Sequence, residues 1–392
     1  MHRHAIGVTA GWLLSWSALQ AAELSVSSMS MVQGTSANVV VSGKITGEAT
    51  VGVTIVLGVV PQPGAVGTVE FTPAPSVDIV QLGDPWPGAG TFSAFDTDRT
   101  TSSTWNGIVD DDGEFLPEPE TVSFDGAVAG FPVIASADAL GVWEVSLSTP
   151  AVDSSWQSLA TTLVAGTITV VEAADPPSQP AGEAGFAKNR YISLVAANPG
   201  QQTALRVTLE DLPSPFESFE GTRMWIAGPQ ETSENAGKVN PADAPGWPTF
   251  MASRLTCQPV YADWGSLGPI HVFDDEIVPT ATYEIQAISE GCDTTDEAQY
   301  SAPLAVTTSY YWGDVTGDCG VTPCTPPDGI VDIVDVTAVY DKFRNLAGTP
   351  IKARSDVDPS LPNRLVEIID ITRTNDAAGG ASYPFAGPSG CP

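Results

Sequence analysis

Short runs rich in Val, Ile and Thr alternate with turns rich in Gly and Pro along most of the chain. Apolar and polar residues alternate within these runs, and this is the period of a half-buried β-strand. No helical period of useful length interrupts the pattern before residue 172. We therefore expect an antiparallel β-sandwich with strands at residues 37–41, 51–60, 67–71, 121–124, 142–147 and 166–171.

The same pattern returns after a segment of linker composition at residues 173–182, which is rich in Pro and Ala. It predicts a second β-sandwich over residues 186–309. Residues 228–248 contain several prolines and few apolar residues, so we expect a long loop there. The predicted strands are residues 191–195, 203–209, 223–227, 270–273, 283–288 and 304–308.

The pattern changes after residue 310, where acidic residues at fixed spacing precede segments of helical period. The sequence VDIVDVT at residues 331–337 aligns with VEIIDIT at residues 366–372, which lies 35 positions later. A tandem repeat arises by chance less readily than a single motif. We therefore predict two loop–helix units, with helices that start at Ile333 and Ile368. One helix face is indicated by the spacing of Val336, Val339, Tyr340 and Phe343.

The acidic positions follow the order of a twelve-residue calcium loop, which supplies oxygens from positions one, three, five, seven, nine and twelve. Counting back from Asp335 leaves ten extra residues between the third and fifth ligands of the first copy. The second copy carries a three-residue insert. The candidate ligands of the first copy are Asp314, Thr316, Asp318, Asp328, Ile330 through its carbonyl, Asp332 and Asp335, and those of the second are Asp356, Asp358, Asn363, Leu365, Glu367 and Asp370.

The two loops differ at the sharp turn, where the first has Gly329 and the second has Arg364. A glycine makes this turn without strain, so we expect the first site to bind calcium more tightly. Clustered carboxylates repel one another without a cation, so calcium is also expected to act as a folding ligand for the tail. The alternative for each loop is an acidic, solvated turn without metal.

Two such loops, each followed by one helix, resemble a dockerin, and the resemblance covers residues 310–392. It is similar to the divergent, insert-bearing dockerins of multi-domain secreted bacterial proteins. The resemblance implies two calcium ions and a cohesin-like protein partner. The partner would contact the two residues before each last ligand, which are Ile333 and Val334 in one repeat and Ile368 and Ile369 in the other.

The sandwiches carry looser resemblances. The first resembles a cohesin or a carbohydrate-binding module in the layout of residues 24–26, 126–131, 141–145 and 166–170. The second resembles a fibronectin type III domain at residues 282–287 and 300–306. The expected fold is therefore mainly β. Its segments are a signal peptide at 1–22, a sandwich at 23–172, a linker at 173–185, a sandwich at 186–309 and a small α-helical dockerin-like domain at 310–392.

Charge narrows the classes of partner. The chain has 15 Lys and Arg against 47 Asp and Glu, which gives a formal net charge of -32. Such a surface repels nucleic acid and anionic lipid, so neither is an expected partner. The same charge is typical of a secreted calcium-binding protein, and a high-salt habitat explains it equally well.

The N-terminus has the features of a secretory signal. A basic start at Arg3 precedes an apolar run that ends near Leu19, and the small residues Ala21 and Ala22 follow. The run is short for a membrane span. We therefore expect a secreted, extracellular protein without a membrane-spanning segment.

An exported chain with five cysteines favours disulfides. Cys319 and Cys324 bracket part of the insert in the first loop, and we predict that they pair. Cys257 and Cys292 share the second predicted sandwich and form the other predicted pair, which leaves Cys391 over.

Residue types for catalysis are few. His271 is the one histidine after the signal segment and lies in a predicted strand, so we expect a structural role and exclude histidine-dependent triads and zinc sites. No residue is predicted to be catalytic. Trp143 is expected in the core, while Trp86 and Trp105, in predicted loops, are candidates for sugar stacking. Residues 110–114 form either a cation site or a solvated hairpin turn.

The preferred interpretation is a non-catalytic, secreted modular protein that docks through its tail and serves in extracellular polysaccharide binding or degradation. A glycoside hydrolase with a dockerin tail is the alternative, because a glycosidase needs only two carboxylates. A cohesin-like first sandwich would also permit self-association of tail with head.

Overall fold

The computed structural model describes residues 22–48, 50–71, 93–98, 102–108, 122–148, 151–153, 161–180, 190–237, 240–308, 311–358 and 362–391. The chain divides into two compact units, Met1–Val170 (unit 1) and Val171–Pro392 (unit 2). Residues 1–21, Trp86 and residues 110–114 lie outside the described residues. Within the described ranges, no helix is long and apolar enough to cross a membrane.

Unit 1 is a β-sandwich. Its described strands are β1 (Ala22–Val26), β2 (Met29–Val32), β3 (Ser36–Glu48), β4 (Thr50–Pro61), β5 (Val69–Phe71), β6 (Ser93–Asp98), β7 (Ser102–Ile108), β8 (Val122–Ala135), β9 (Gly141–Ser148), β10 (Ala151–Asp153), β11 (Thr161–Val164) and β12 (Gly166–Val171). One sheet has the order β11-β1-β3-β8-β5, and the other has β2-β12-β9-β4-β7-β6 with β10 beside β4. Val41 and Phe131 from the first sheet share one core with Leu57 and Trp143 from the second.

Unit 2 contains the second sandwich. Its strands are β13 (Tyr191–Val195), β14 (Thr203–Asp211), β15 (Arg223–Ile226), β16 (Gln230–Ser233), β17 (Thr249–Ser253), β18 (Leu255–Thr256), β19 (Pro269–Phe273), β20 (Thr282–Ser289) and β21 (Leu304–Thr307). They form the sheets β13-β19-β17-β16 and β18-β15-β14-β20-β21. Tyr283 accepts from Val278 N (2.8 Å) and donates to Glu276 O (3.1 Å) through its hydroxyl. This tyrosine corner is typical of immunoglobulin-type sandwiches.

Each predicted strand run overlaps a strand of the structure, although the runs at residues 67–71, 223–227 and 304–308 extend beyond β5, β15 and β21. Two predictions of loops are wrong. Residues 228–248, predicted as a loop, contain β16, which pairs with β17 in an antiparallel ladder. Trp105, predicted in a loop, lies in β7. Both segments are polar and depend on long-range pairing, which intrinsic propensity does not report. His271 is buried in β19 with its ring centroid 5.7 Å from that of Tyr191, which fits a structural role.

The tail contains the helices α1 (Ile333–Phe343), α2 (Lys352–Ser355) and α3 (Ile368–Ala378). Helices α1 and α3 begin at the predicted residues. On the predicted face of α1, Val339 is buried, whereas Tyr340 and Phe343 are exposed. Fewer residues of α1 are therefore buried in the core than the spacing predicts. The core of the tail is formed by Trp312, Val315, Ala338, Val339, Val357 and Val366.

The tail packs on the second sandwich within unit 2. Ala236, from the loop after β16, belongs to the core of the tail, and its carbonyl accepts from Val366 N (2.9 Å). Arg190 donates to Val357 O (2.6 Å) from the start of β13. Near the C-terminus, Glu276 Oε1 accepts from the backbone N–H of Ser389 (2.9 Å). Residues 186–309 and 310–392, predicted as separate domains, therefore lie in one compact unit.

The structure has two disulfides. Cys319 bonds to Cys324, as predicted, and Cys257 bonds to Cys391. The predicted Cys257–Cys292 pair is wrong. Cys257 follows the edge strand β18, where the C-terminal segment returns across the sandwich, and this return is not visible in the local sequence. Cys292 is a buried free thiol, and burial raises its pKa to about 11.

A buried ion pair joins tail and sandwich, and its removal should be costly. Glu234 Oε2 lies 2.7 Å from Lys342 Nζ and accepts from Lys352 N (2.8 Å). The substitution Glu234→Gln should lower the free energy of unfolding of unit 2 by about 3 kcal/mol, because the Lys342 ammonium is left buried without its counter-charge. Urea unfolding of the full chain measures this change.

The matched control is Asp376→Asn, which removes a carboxylate from an exposed pair with Arg373 (3.7 Å). That change should stay below about 0.5 kcal/mol. Equal losses in the two variants would contradict a special role for the buried pair.

Candidate metal centres

The first predicted loop closes through buried carboxylates. Asp314 and Asp335 are 0% and 1% exposed. Gly329 N donates to Asp314 Oδ2 (2.7 Å), while Val315 N and Thr316 N donate to Asp335 Oδ1 (2.8 and 3.0 Å). The segment before the insert is thereby joined to the first turn of α1 through its backbone, whereas the Thr316 hydroxyl donates to Thr325 O (2.7 Å).

The same carboxylate also starts the helix. Asp335 Oδ2 accepts from Asp332 N (2.8 Å), and Asp332 Oδ1 accepts from Val334 N (2.6 Å), which makes a capping box at α1. Burial raises the pKa of Asp335, although its hydrogen bonds from backbone N–H groups favour the ionised form. A carboxylate at a helix N-terminus is also favoured by the helix dipole. The loop and the helix are therefore one structural element.

The ten-residue insert folds back on itself and does not open the loop. Gly317 N donates to Pro326 O (2.9 Å), Thr325 N donates to Asp318 O (2.8 Å), and the Cys319–Cys324 disulfide closes the tip. The chain thus returns to Asp328 beside its starting point. The carboxylate of Asp318 is exposed and accepts from Gly320 N (2.6 Å) inside the insert, whereas Asp314 and Asp335 are buried.

The second loop repeats most hydrogen bonds of the first, except that, among the described residues, the N-cap Glu367 has no counterpart to the bond from Val334 N to Asp332 Oδ1. Val357 N and Asp358 N donate to Asp370 Oδ1 (2.7 and 2.8 Å), as Val315 N and Thr316 N do to Asp335. The N-cap residue Glu367 donates its N–H to Asp370 Oδ2 (2.7 Å), as Asp332 does to Asp335. Arg364 N donates to Asp356 Oδ2, which takes the place of Asp314. The turn bond from Ile330 N to Asp328 Oδ1 (2.9 Å) recurs from Leu365 N to Asn363 Oδ1 (2.7 Å).

The sharp turn has a positive φ in both loops. Gly329 has φ +90° and Arg364 has φ +66°. A Cβ at Gly329 would meet nothing within 4 Å, so the difference between the loops is conformational and not steric. The left-handed conformation costs about 1 kcal/mol for a residue with a Cβ, so the second loop carries strain that the first avoids.

Basic side chains surround the second loop. Arg373 Nε donates to Asp358 Oδ1 (2.8 Å), and the charges of Arg190 and Arg254 act on Asp356. Burial nevertheless dominates and raises the pKa of Asp356 well above its usual range. Because these guanidinium groups already offset the negative charge, a cation would gain less electrostatic free energy at the second loop than at the first.

The predicted ligand atoms are of the chemical type that a hard cation prefers, but within the described residues they are not arranged as a closed metal site. They are oxygens of carboxylates, an amide, a hydroxyl and backbone carbonyls, which calcium prefers. Asp356 Oδ1 is buried without a hydrogen-bond partner, and burial raises the pKa of Asp370 to about 6. Cation binding would satisfy such groups. In the part of the chain that the structure describes, no group of three or more His, Cys, Asp or Glu side chains is arranged to hold a metal ion.

Large aliphatic side chains at the helix starts are exposed. Ile333 and Ile368 are 70% and 68% exposed, Ile369 is also exposed, and Val334 is half-buried. Ile330, predicted only as a carbonyl ligand, is exposed as well. The sequence signal for this exposed position is an apolar side chain within an otherwise acidic loop. Both repeats therefore expose aliphatic side chains at the start of the helix.

No protein-family model and no curated protein matches the chain. Among solved structures, the chain is similar to a non-cellulosomal cohesin from the archaeon Archaeoglobus fulgidus, with 15% identity, 38% of this chain and 91% of that chain covered, and a TM-score of 0.28. It is also similar to the sixth cohesin of scaffoldin B from Acetivibrio cellulolyticus, solved in complex with a dockerin, with 16% identity, 38% and 99% covered, and a TM-score of 0.29. At this level of sequence identity and TM-score, the similarity assigns no function to the chain.

Proposed function

We propose that residues 311–391 form a calcium-dependent docking module of dockerin type in a secreted, non-catalytic modular protein. The observation that carries the proposal is the repeat of the two loops. Each has a buried carboxylate that binds the entering segment, a second that accepts from the sharp turn, and a capping box that starts a helix. Two unrelated solvated turns would not be expected to share all three features.

Calcium would supply the positive charge that the clustered carboxylates need. In the first loop the proposed ligands are Asp314, Thr316, Asp328, the Ile330 carbonyl, Asp332 and Asp335. In the second they are Asp356, Asp358, Asn363, the Leu365 carbonyl, Glu367 and Asp370. Strain at Arg364 and the pairing of Asp358 with Arg373 support weaker binding at the second site.

The proposed partner is a protein domain of cohesin type with an apolar contact face. Ile333 and Ile368 begin equivalent helices and are both largely exposed, so the two repeats offer similar apolar contacts. Because each helix is capped by a carboxylate of its own loop, metal binding and the placement of these side chains are linked.

Docking should be lost when charge is placed on this surface. The double substitution I333D/I368D should weaken binding of the full chain to a cohesin domain by about 100-fold or more, because a carboxylate would be buried against an apolar face. Isothermal titration against a panel of cohesin domains, in calcium and in chelator, measures the affinity. Chelator should abolish binding of the unsubstituted chain.

The control is Val321→Asp, which places the same charge on an exposed apolar residue of the insert. It should leave affinity unchanged. Binding that survives chelator, or that the double variant retains, would refute the proposal.

A further inference from the structure

A cleft of about 660 Å³ lies between the second sandwich and the tail within unit 2. One wall comes from residues 213–216 and 279–280 of the sandwich, and the other from residues 311–312 and 377–385 of the tail. The volume is within the range of about 300–1,000 Å³ for small-molecule sites. The docking surface described above does not include this cleft.

Aromatic rings form the floor of the cleft. The ring centroid of Phe385 lies 5.9 Å from that of Trp312 and 5.4 Å from that of Tyr383, and both contacts are edge to face. The Arg190 guanidinium lies 4.2 Å from the centroid of Phe385. Tyr311 is 56% exposed beside these packed rings. The cleft therefore combines a fixed aromatic floor with one exposed ring.

The lining of the cleft carries no charge, although the chain as a whole is strongly acidic; Arg190, which contacts Phe385, is buried and is not a lining residue. None of the described lining residues is ionised at neutral pH. The polar groups of the lining include the exposed hydroxyl residues Ser214, Thr280 and Ser382. Thr280 has φ +62°, a conformation that a β-branched side chain rarely adopts. Such strain is found where a backbone is shaped for binding.

We propose that this cleft binds a neutral oligosaccharide, with sugar rings against the aromatic side chains and sugar hydroxyls at the Ser and Thr rim. A charged ligand would lose its hydration without a counter-charge in the lining. A proline-rich peptide has few N–H or hydroxyl donors, so it would not supply donors to the hydroxyl oxygens of Ser214 and Ser382, whereas sugar hydroxyls both donate and accept. The Trp312 Nε1–H is not available to a peptide carbonyl, because it already donates to Ala381 O (3.0 Å). The inference goes beyond the docking function and gives polysaccharide binding a location.

The test is isothermal titration of the full chain with neutral β-linked hexasaccharides of glucose, xylose and mannose, and with hexagalacturonate and decaproline for comparison. At least one neutral hexasaccharide should bind, and hexagalacturonate and decaproline should not. Tyr311→Ala should weaken binding about tenfold through loss of the exposed ring. Tyr340→Ala, which removes a similarly exposed tyrosine from α1, should leave sugar affinity unchanged.

Two variants distinguish sugar binding in the cleft from calcium-dependent docking. I333D/I368D should retain sugar affinity, and Tyr311→Ala should retain calcium-dependent docking. The inference is overturned if no neutral hexasaccharide binds at millimolar concentration, if hexagalacturonate or decaproline binds as well or better, or if Tyr340→Ala weakens sugar binding as much as Tyr311→Ala.

Discussion

Replacing Cys391 with Ser should lower the free energy of unfolding of unit 2 by about 5 kcal/mol, because its disulfide with Cys257 closes a loop of 134 residues. The cross-link restricts the unfolded chain, and the restriction grows with the length of the closed loop. Denaturant unfolding of the full chain, followed by tryptophan fluorescence, measures the change.

Cys324→Ser is the matched control, since it also removes one disulfide and leaves one free thiol. Its bond to Cys319 spans a separation of only 5 residues, so the loss should be about 2 kcal/mol. Equal losses, or a larger loss for Cys324→Ser, would show that the long loop does not determine the stability of unit 2.

Asp335→Ala should remove one equivalent of bound calcium and abolish most of the stabilisation of unit 2 by calcium. Its two oxygens accept from Val315, Thr316 and Asp332, so the substitution disrupts the loop and the helix start together. If the site has a micromolar dissociation constant, millimolar calcium stabilises the folded state by about 4 kcal/mol. Calcium titration and urea unfolding of the full chain, in calcium and in chelator, measure both quantities.

Asp370→Ala should remove the other equivalent with a smaller loss of stability, since that site is expected to be weaker. Asp341→Ala, on α1 outside both loops, should retain both equivalents. Calcium binding that is unchanged in Asp335→Ala would show that the first loop does not hold the metal, and the same outcome in Asp370→Ala would show it for the second. The full chain is needed, because the core of the tail includes Ala236 of the sandwich.

The sequence is most informative where structure is local. Strands such as β3, β9 and β20 follow from runs of alternating apolar residues, whereas the polar strands β7 and β16 are not predicted. The starts of α1 and α3 follow from acidic residues that cap them, and the strained turn at Arg364 follows from its alignment with Gly329. The Cys319–Cys324 bond is also local, since five positions separate the two residues.

Contacts between segments that are far apart in the chain could not be predicted from the sequence. Glu234 lies in a segment predicted as loop, and nothing near it indicates that Lys342 will be its partner. The bond between Cys257 and Cys391 depends on the path of the last residues across the sandwich. The aromatic cleft likewise needs both of its walls in place. Each of these features depends on packing of the tail against the sandwich, and local periodicity carries no information on such contacts.

The fastening of the C-terminus at Cys257 has a mechanical consequence. A partner that pulls on the exposed residues of α1 and α3 loads a segment that is covalently anchored at its far end to the sandwich. Tension cannot peel the tail away from residue 391 inwards, because the chain beyond α3 is held at Cys391 and at Glu276. The force would instead pass through the disulfide to the sheet that contains β18, so the tail and the sandwich would resist the pull of a docked partner together.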